Sequence, residues 1–155
     1  AGRGVFWPED DLLVTDGEGK QFVPAGGWFC VLHKDTHDRL IFDRTVRNAM
    51  ERRLNWARLP TGVLLIQLVL NAWETVRGST DDLSVYFYCL KSVEGEERVN
   101  PVGRTLHASD IPEANLKDAR PHRFCLRVWG MGDKNAVDVA QVTHEHLHMH
   151  HDCLR

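Results

Sequence analysis

The chain has 155 residues, 43 % hydrophobic and 26 % charged, with a net charge of −3. That balance fits one soluble globular domain or a piece of one, and excludes a low-complexity or multidomain chain. The acidic excess argues against a uniformly basic nucleic-acid grip, which leaves only local clusters such as Arg39, Arg44, Arg47, Arg52, Arg53 and Arg58 for that purpose.

Residues 1–27 are rich in glycine, with an acidic patch at Glu9-Asp10-Asp11, and read as an irregular arm ending at Ala25-Gly26-Gly27. Residues 28–43 read as a β-hairpin around a polar turn from Asp35 to Asp38. Over 44–58 the spacing of Val46, Ala49, Met50 and Leu54 between arginines predicts a helix with one buried stripe, broken by Pro60-Thr61-Gly62. The apolar run within 63–76 reads as a core strand or buried helix. It is far shorter than the ~20 residues of a membrane span, and no signal peptide is visible at the N-terminus.

The alternation of Leu83, Val85, Phe87 and Cys89 predicts a strand over 82–91, followed by a turn at Glu94-Gly95-Glu96. Residues 98–121 are polar and punctuated by Pro101, Pro112 and Pro121. Phe124, Leu126 and Val128 alternate in a strand over 123–129. Gly130-Met131-Gly132 forms a tight loop, and a helix runs from near Asn135 toward His150. The expected order, β-β-α-α-β-β-α, is an α+β layout with a small antiparallel sheet and flanking helices. Cys30, Cys89, Cys125 and Cys153 form no C-x-x-C pair, so a zinc ribbon is not expected. The first three have hydrophobic neighbours and are read as buried thiols in strands.

Three segments carry a resemblance. Gly132, Lys134, Asn135, Ala136 and Gln141 match a palm segment that reads G-L-K-N-A-P-A-T-F-Q. Asp82-Leu83-Ser84-Val85-Tyr86-Phe87 is similar to D-L-S-x-A-F-Y. Lys34-Asp35, then Arg39-Leu40-Ile41-Phe42-Asp43-Arg44 and Asn48, is similar to K-K-D-x-x-x-R-L-V-x-D-x-R-x-L-N. Taken in chain order, from Lys34 through Asp82 to Gly132, the three resemble the successive segments of the reverse transcriptases of retroelements, the RNA-directed DNA polymerases. The resemblance implies a fingers and half-palm domain over 28–155. It assigns Asp82 to catalytic magnesium, with Asp81 as the alternative register, and Phe87 to sugar selection. It gives Lys34 and Arg39 phosphate contacts, and Lys134 and Gln141 support of the template.

The sequence departs from the family where Thr45 replaces a second arginine and Tyr86 replaces a small residue. The family's Y-x-D-D hairpin, which supplies the remaining carboxylates, is absent from the 155 residues. Two-metal phosphoryl transfer needs several carboxylates around ions about 3.5–4 Å apart. The expectation is therefore fingers and half a palm, not a polymerase competent by itself. The alternative is a non-catalytic structural or accessory subunit of a larger intracellular assembly, with other protein subunits covering its sheet edges and apolar face.

His144-Glu145-His146-Leu147-His148 is a literal H-E-x-x-H, followed by His150 and His151. On a helix His144 and His148 share a face, and His151 lies three residues further on. These three are the candidates for a bound zinc ion, against the plainer reading of structural or solvated histidines.

Overall fold

The computed structural model describes residues 2–34, 36–59, 61–78, 82–116 and 118–150, excluding the side chains of His33, Lys34, Leu64 and Leu65. Asp81, His151 and Cys153, singled out above, lie outside the described residues. The architecture is α+β: among the described residues there are one three-stranded antiparallel sheet, two two-stranded ribbons and two α-helices.

The segment read as an irregular arm instead supplies an edge strand. β1 (Gly4–Pro8) pairs antiparallel with β7 (His122–Leu126), Gly4 opposite Leu126 and Pro8 opposite His122. Gly4 is required there, because a Cβ would stand 1.9 Å from the Phe124 ring. On the other side of β7 lies β6 (Pro101–Leu106). Its register breaks between Val102 and Leu106, where Gly103 takes φ +73°, the geometry of a bulge. Two short strands, β2 (Val14–Thr15) and β3 (Gln21–Phe22), form a separate ribbon. The Asp16 carboxylate closes its turn by accepting the N–H groups of Glu18 and Lys20, each at 2.9 Å.

The predicted hairpin is present as β4 (Gly27–Lys34) and β5 (His37–Asp43). It springs from the sheet edge: Gly26 bridges Val102, donating to the Pro101 carbonyl and accepting from Gly103 N–H. Near the base of the hairpin, Trp28 and Phe42 sit opposite each other with ring centroids 5.1 Å apart. Phe42 enters the core with Val102, Leu126 and Val128, and Trp28, Tyr88 and Phe124 pack around them. Beyond this pair the hairpin leaves Phe29, Leu32 and Leu40 exposed.

Further expectations fail. Helix α1 covers only Thr45–Met50, and the chain runs irregularly from Arg52 to Leu59. Residues 82–91 are not a strand: they turn at Ser84 and Val85 and form a 3-10 turn at Tyr86–Cys89. Val85 adopts φ +52°, a left-handed conformation rare for a β-branched side chain, which ends any pleat. The run within 63–76 is neither strand nor core helix; a 3-10 turn at Gly62–Gln67 precedes irregular chain, and Val63, Ile66, Leu68, Val69, Leu70, Trp73 and Val76 are exposed. Two of the cysteines are also exposed, Cys30 and Cys89, while Cys125 is buried. The C-terminal helix is present as α2 (Ala136–His150). Among the described residues no helix is long and apolar enough to cross a membrane.

Candidate functional site

The loop Gly130–Asn135 sits against the end of β5, and glycine makes this approach feasible. A Cβ on Gly130 would stand 2.7 Å from the Phe42 ring, and one on Gly132 would stand 2.6 Å from the Phe42 carbonyl oxygen. Gly132 also takes φ +107°, open essentially to glycine. Gly26 closes a third side, where a Cβ would stand 2.4 Å from the same ring. Phe42 is thus seated in a glycine cage that fixes the hairpin to the loop before α2.

Polar side chains complete the junction. Arg44 Nη1 donates to Asp133 Oδ1 at 2.6 Å and to Glu51 Oε2 at 2.8 Å, while Nη2 donates to Glu51 Oε1 at 2.7 Å. Arg44 and Asp133 are both buried. Burial pushes the Asp133 carboxyl up to about 6; Arg44 pulls it down, and Glu51 adds to the rise. Asn48 donates to the Gly132 carbonyl at 2.8 Å and accepts from Lys134 N–H at 3.0 Å. Asn135 accepts from Leu54 N–H at 3.1 Å and donates to the Arg52 carbonyl at 3.0 Å, and Asp138 accepts from Ala57 N–H at 3.1 Å.

Beside this junction opens a cleft of about 510 Å³. Arg39 and Leu40 of β5 line it, facing Asp82 and Phe87 and closed by Met131. Asp82 is exposed, and it is the only carboxylate among the described lining residues. Phe87 is half-buried. Tyr86, also on the wall, donates its hydroxyl to the Ala140 carbonyl of α2 at 3.2 Å. Burial holds the Tyr86 phenol above its ordinary value. An exposed carboxylate, a guanidinium-bearing strand and aromatic faces can bind a phosphate-bearing, base-bearing ligand through a cation, direct ion pairing and stacking.

The other predicted residues have separate places. Lys134 does not reach the cleft: its Nζ donates to the carbonyls of Asn48 (2.9 Å) and Glu51 (2.7 Å), clamping the end of α1 where orphan carbonyls need a donor. Gln141 donates to Glu145 Oε1 at 2.8 Å along α2 and does not line the cleft. The Lys34 side chain lies outside the described residues. On α2, His144 and His148 bring their Nε2 atoms to 2.6 Å, and the ring of Tyr86 meets His144 edge-on at 6.3 Å. Among the described residues no group of three or more His, Cys, Asp or Glu converges as a metal cage.

Met131 and Leu40 were not anticipated as wall residues, nor was Asp133 as the partner of Arg44. Local periodicity carries no trace of a contact between residues 89 positions apart. The chain matches no family model, no curated protein and no solved structure.

Proposed function

We propose that the chain is a reverse-transcriptase-like unit, fingers with part of a palm, whose cleft is the surface for a primer–template and an incoming nucleotide. One observation carries the reading. Arg39, Asp82 and Phe87, given substrate-facing roles by two separately matched segments, line a single cleft, and Met131 of the loop that opens the third match closes it. The fingers match and the loop match are also joined directly, through Arg44–Asp133 and through Asn48 with Gly132 and Lys134. Agreement between sequence order and spatial convergence is independent of any single motif.

The cleft holds one carboxylate among its described residues, and the 155 residues contain no Y-x-D-D. One aspartate does not hold two magnesium ions, so this unit binds without polymerising by itself. Where the further carboxylates are supplied, Asp82 would be a magnesium ligand and RNA-directed DNA synthesis the reaction. The test is binding of a labelled RNA–DNA primer–template with magnesium and a deoxynucleoside triphosphate, followed by anisotropy. Arg39→Ala and Asp82→Ala are expected to weaken binding, with no primer extension by the wild type. Binding indifferent to both substitutions would remove the cleft from the reading.

A second reading is a non-catalytic accessory subunit of a larger assembly. It is favoured by the outward row Val69, Trp73 and Ile66, exposed by 91, 82 and 79 %. So much apolar surface on one segment is unusual for a free monomer. The mass of the native particle separates the two: a free monomer opposes the second reading, and a stable complex supports it.

A further inference from the structure

We propose that His144 and His148 form a two-histidine site for a divalent transition ion of the zinc class, on the face of α2 turned toward Tyr86. The inference does not depend on the polymerase reading. Residues four apart share a helix face, but geometry adds more than spacing. The two Nε2 atoms point at each other across 2.6 Å. Only one proton fits between them, so one ring donates and the other presents its lone pair. When a metal ion takes the place of that proton, the donating ring shifts its proton to its own Nδ1, and both Nε2 lone pairs go to the ion. Two nitrogens bound at about 2.0–2.1 Å to a tetrahedral ion lie roughly 3.3 Å apart. The rings therefore need to part by less than about 1 Å, a small side-chain rotation.

The first ligand is already oriented. Tyr86 sets its ring edge-on to His144, and its hydroxyl is anchored to the Ala140 carbonyl one turn earlier on the same helix. His148 is half-buried, and its Nδ1 is buried without a partner among the described residues. The one hydrogen bond of this imidazole among the described residues is therefore the Nε2 contact with His144, the pair a metal ion would bridge.

A second pair, His146 and His150, makes only a ring contact at 4.0 Å and is exposed. It serves as an internal control. Glu145 is tied to Gln141. With two protein ligands, two tetrahedral positions stay open to water or to a group from outside, so the affinity is that of a chelating pair rather than of a four-ligand structural zinc. Imidazole suits zinc, copper and nickel over magnesium.

The experiment is zinc chloride titration of the tag-free 155-residue protein by calorimetry, with cobalt substitution followed by visible absorption. The expected result is one ion per chain. His144→Ala and His148→Ala should each weaken binding about tenfold or more, while His146→Ala/His150→Ala leaves it unchanged. Far-UV circular dichroism of each ion-free variant checks that it is folded. A variant that loses helix is replaced by the glutamine substitution at the same position. No binding by the wild type would overturn the proposal. So would loss that follows His146 and His150, or partial loss spread over all four histidines, which is non-specific chelation by a histidine-dense helix.

Discussion

Arg44 and Asp133 form an ion pair at 2.6 Å between side chains that are only 3 and 1 % exposed. One lies just after β5 and the other just before α2, so the pair joins the hairpin to the helical half of the molecule. Arg44→Ala leaves Asp133 and Glu51 without their shared cation, and breaking a buried pair this way costs about 3–5 kcal/mol. Arg44→Lys recovers only part of that, because an ammonium cannot present the guanidinium fork to two carboxylates. Urea denaturation measures both. A loss under about 1 kcal/mol for Arg44→Ala would show that the pair is not what holds the junction.

Asp133 also makes a signed prediction for pH. Its folded carboxyl is pushed by burial to about 6, whereas an unfolded aspartate titrates near 4. The folded state therefore binds the extra proton between those values. The contribution of this group is fully present below about pH 4 and is lost as pH rises through 6, by up to roughly 3 kcal/mol. Asp133→Asn keeps an oxygen for Arg44 and removes the titration. The variant should gain on the wild type between pH 4.5 and 7 in urea midpoints; these pH values span roughly the two pKa values. Taking the difference cancels groups such as Glu9. There burial pushes the carboxyl up, but hydrogen bonds from Arg123 and Thr105 win and hold it below its ordinary value. Parallel pH profiles for the two proteins would count against the raised Asp133.

The glycine cage around Phe42 predicts two kinds of defect. Gly130→Ala collides with a side chain, the Phe42 ring, and overpacking of this kind costs about 1–3 kcal/mol. Gly132→Ala collides with the Phe42 carbonyl and is strained at φ +107°. Adding Phe42→Leu should relieve part of the first defect and none of the second. A thermal-denaturation double-mutant cycle measures the coupling. Equal rescue of both, or of neither, would contradict the cage.

Lys134→Ala separates a clamp from a substrate contact. Removing it leaves the Asn48 and Glu51 carbonyls without their donor, at a cost of about 1–2 kcal/mol. Affinity for a primer–template should not change beyond the unfolded fraction. If affinity falls in a fully folded variant, Lys134 faces the ligand after all.

Thiol chemistry checks the core. Cys30 and Cys89 are exposed, and Cys125 is buried with its thiol pushed up to about 12 by burial. Native protein should give fast labelling at Cys30 and Cys89, with Cys125 reacting only on unfolding. Peptide mapping after a brief iodoacetamide pulse reports each site separately. Prompt labelling of Cys125 would mean that β7 is not a protected central strand.

What was legible in the sequence was local. The β4–β5 hairpin follows from two apolar runs around a polar turn, and α2 from a glycine loop leading into a helical stretch. β1 was not legible, because its partner β7 lies more than a hundred residues away and Gly4–Pro8 has no strand alternation of its own. The helix expected over 44–58 stops at Met50 for a tertiary reason: backbone groups of Asn48, Glu51, Arg52, Leu54 and Ala57 are bonded by side chains of Lys134, Asn135 and Asp138. Those bonds compensate the segment for the helical ones it gives up. The strand expected at 82–91 had the right alternation, but Val85 turns left-handed and sends the chain into the cleft wall. Arg39, Asp82 and Phe87 line one cleft, and the 82–91 stretch of its wall is a 3-10 turn rather than the strand expected.

Asn135 binds the main chain of Arg52 and Leu54 through both ends of its amide, as a neighbouring strand would. Such docking reads backbone and ignores side chains. Substitutions between Arg52 and Ala57 should then be tolerated widely, proline at Leu54 or Ala57 excepted, because it lacks the N–H that is bound. Asn135 itself has no equivalent replacement. Aspartate lacks the donor for the Arg52 carbonyl, and glutamine carries the same amide one methylene too far. Tolerance to mutation is thus divided unequally across one contact: drift is permitted on the segment that is held and refused at the residue that holds it.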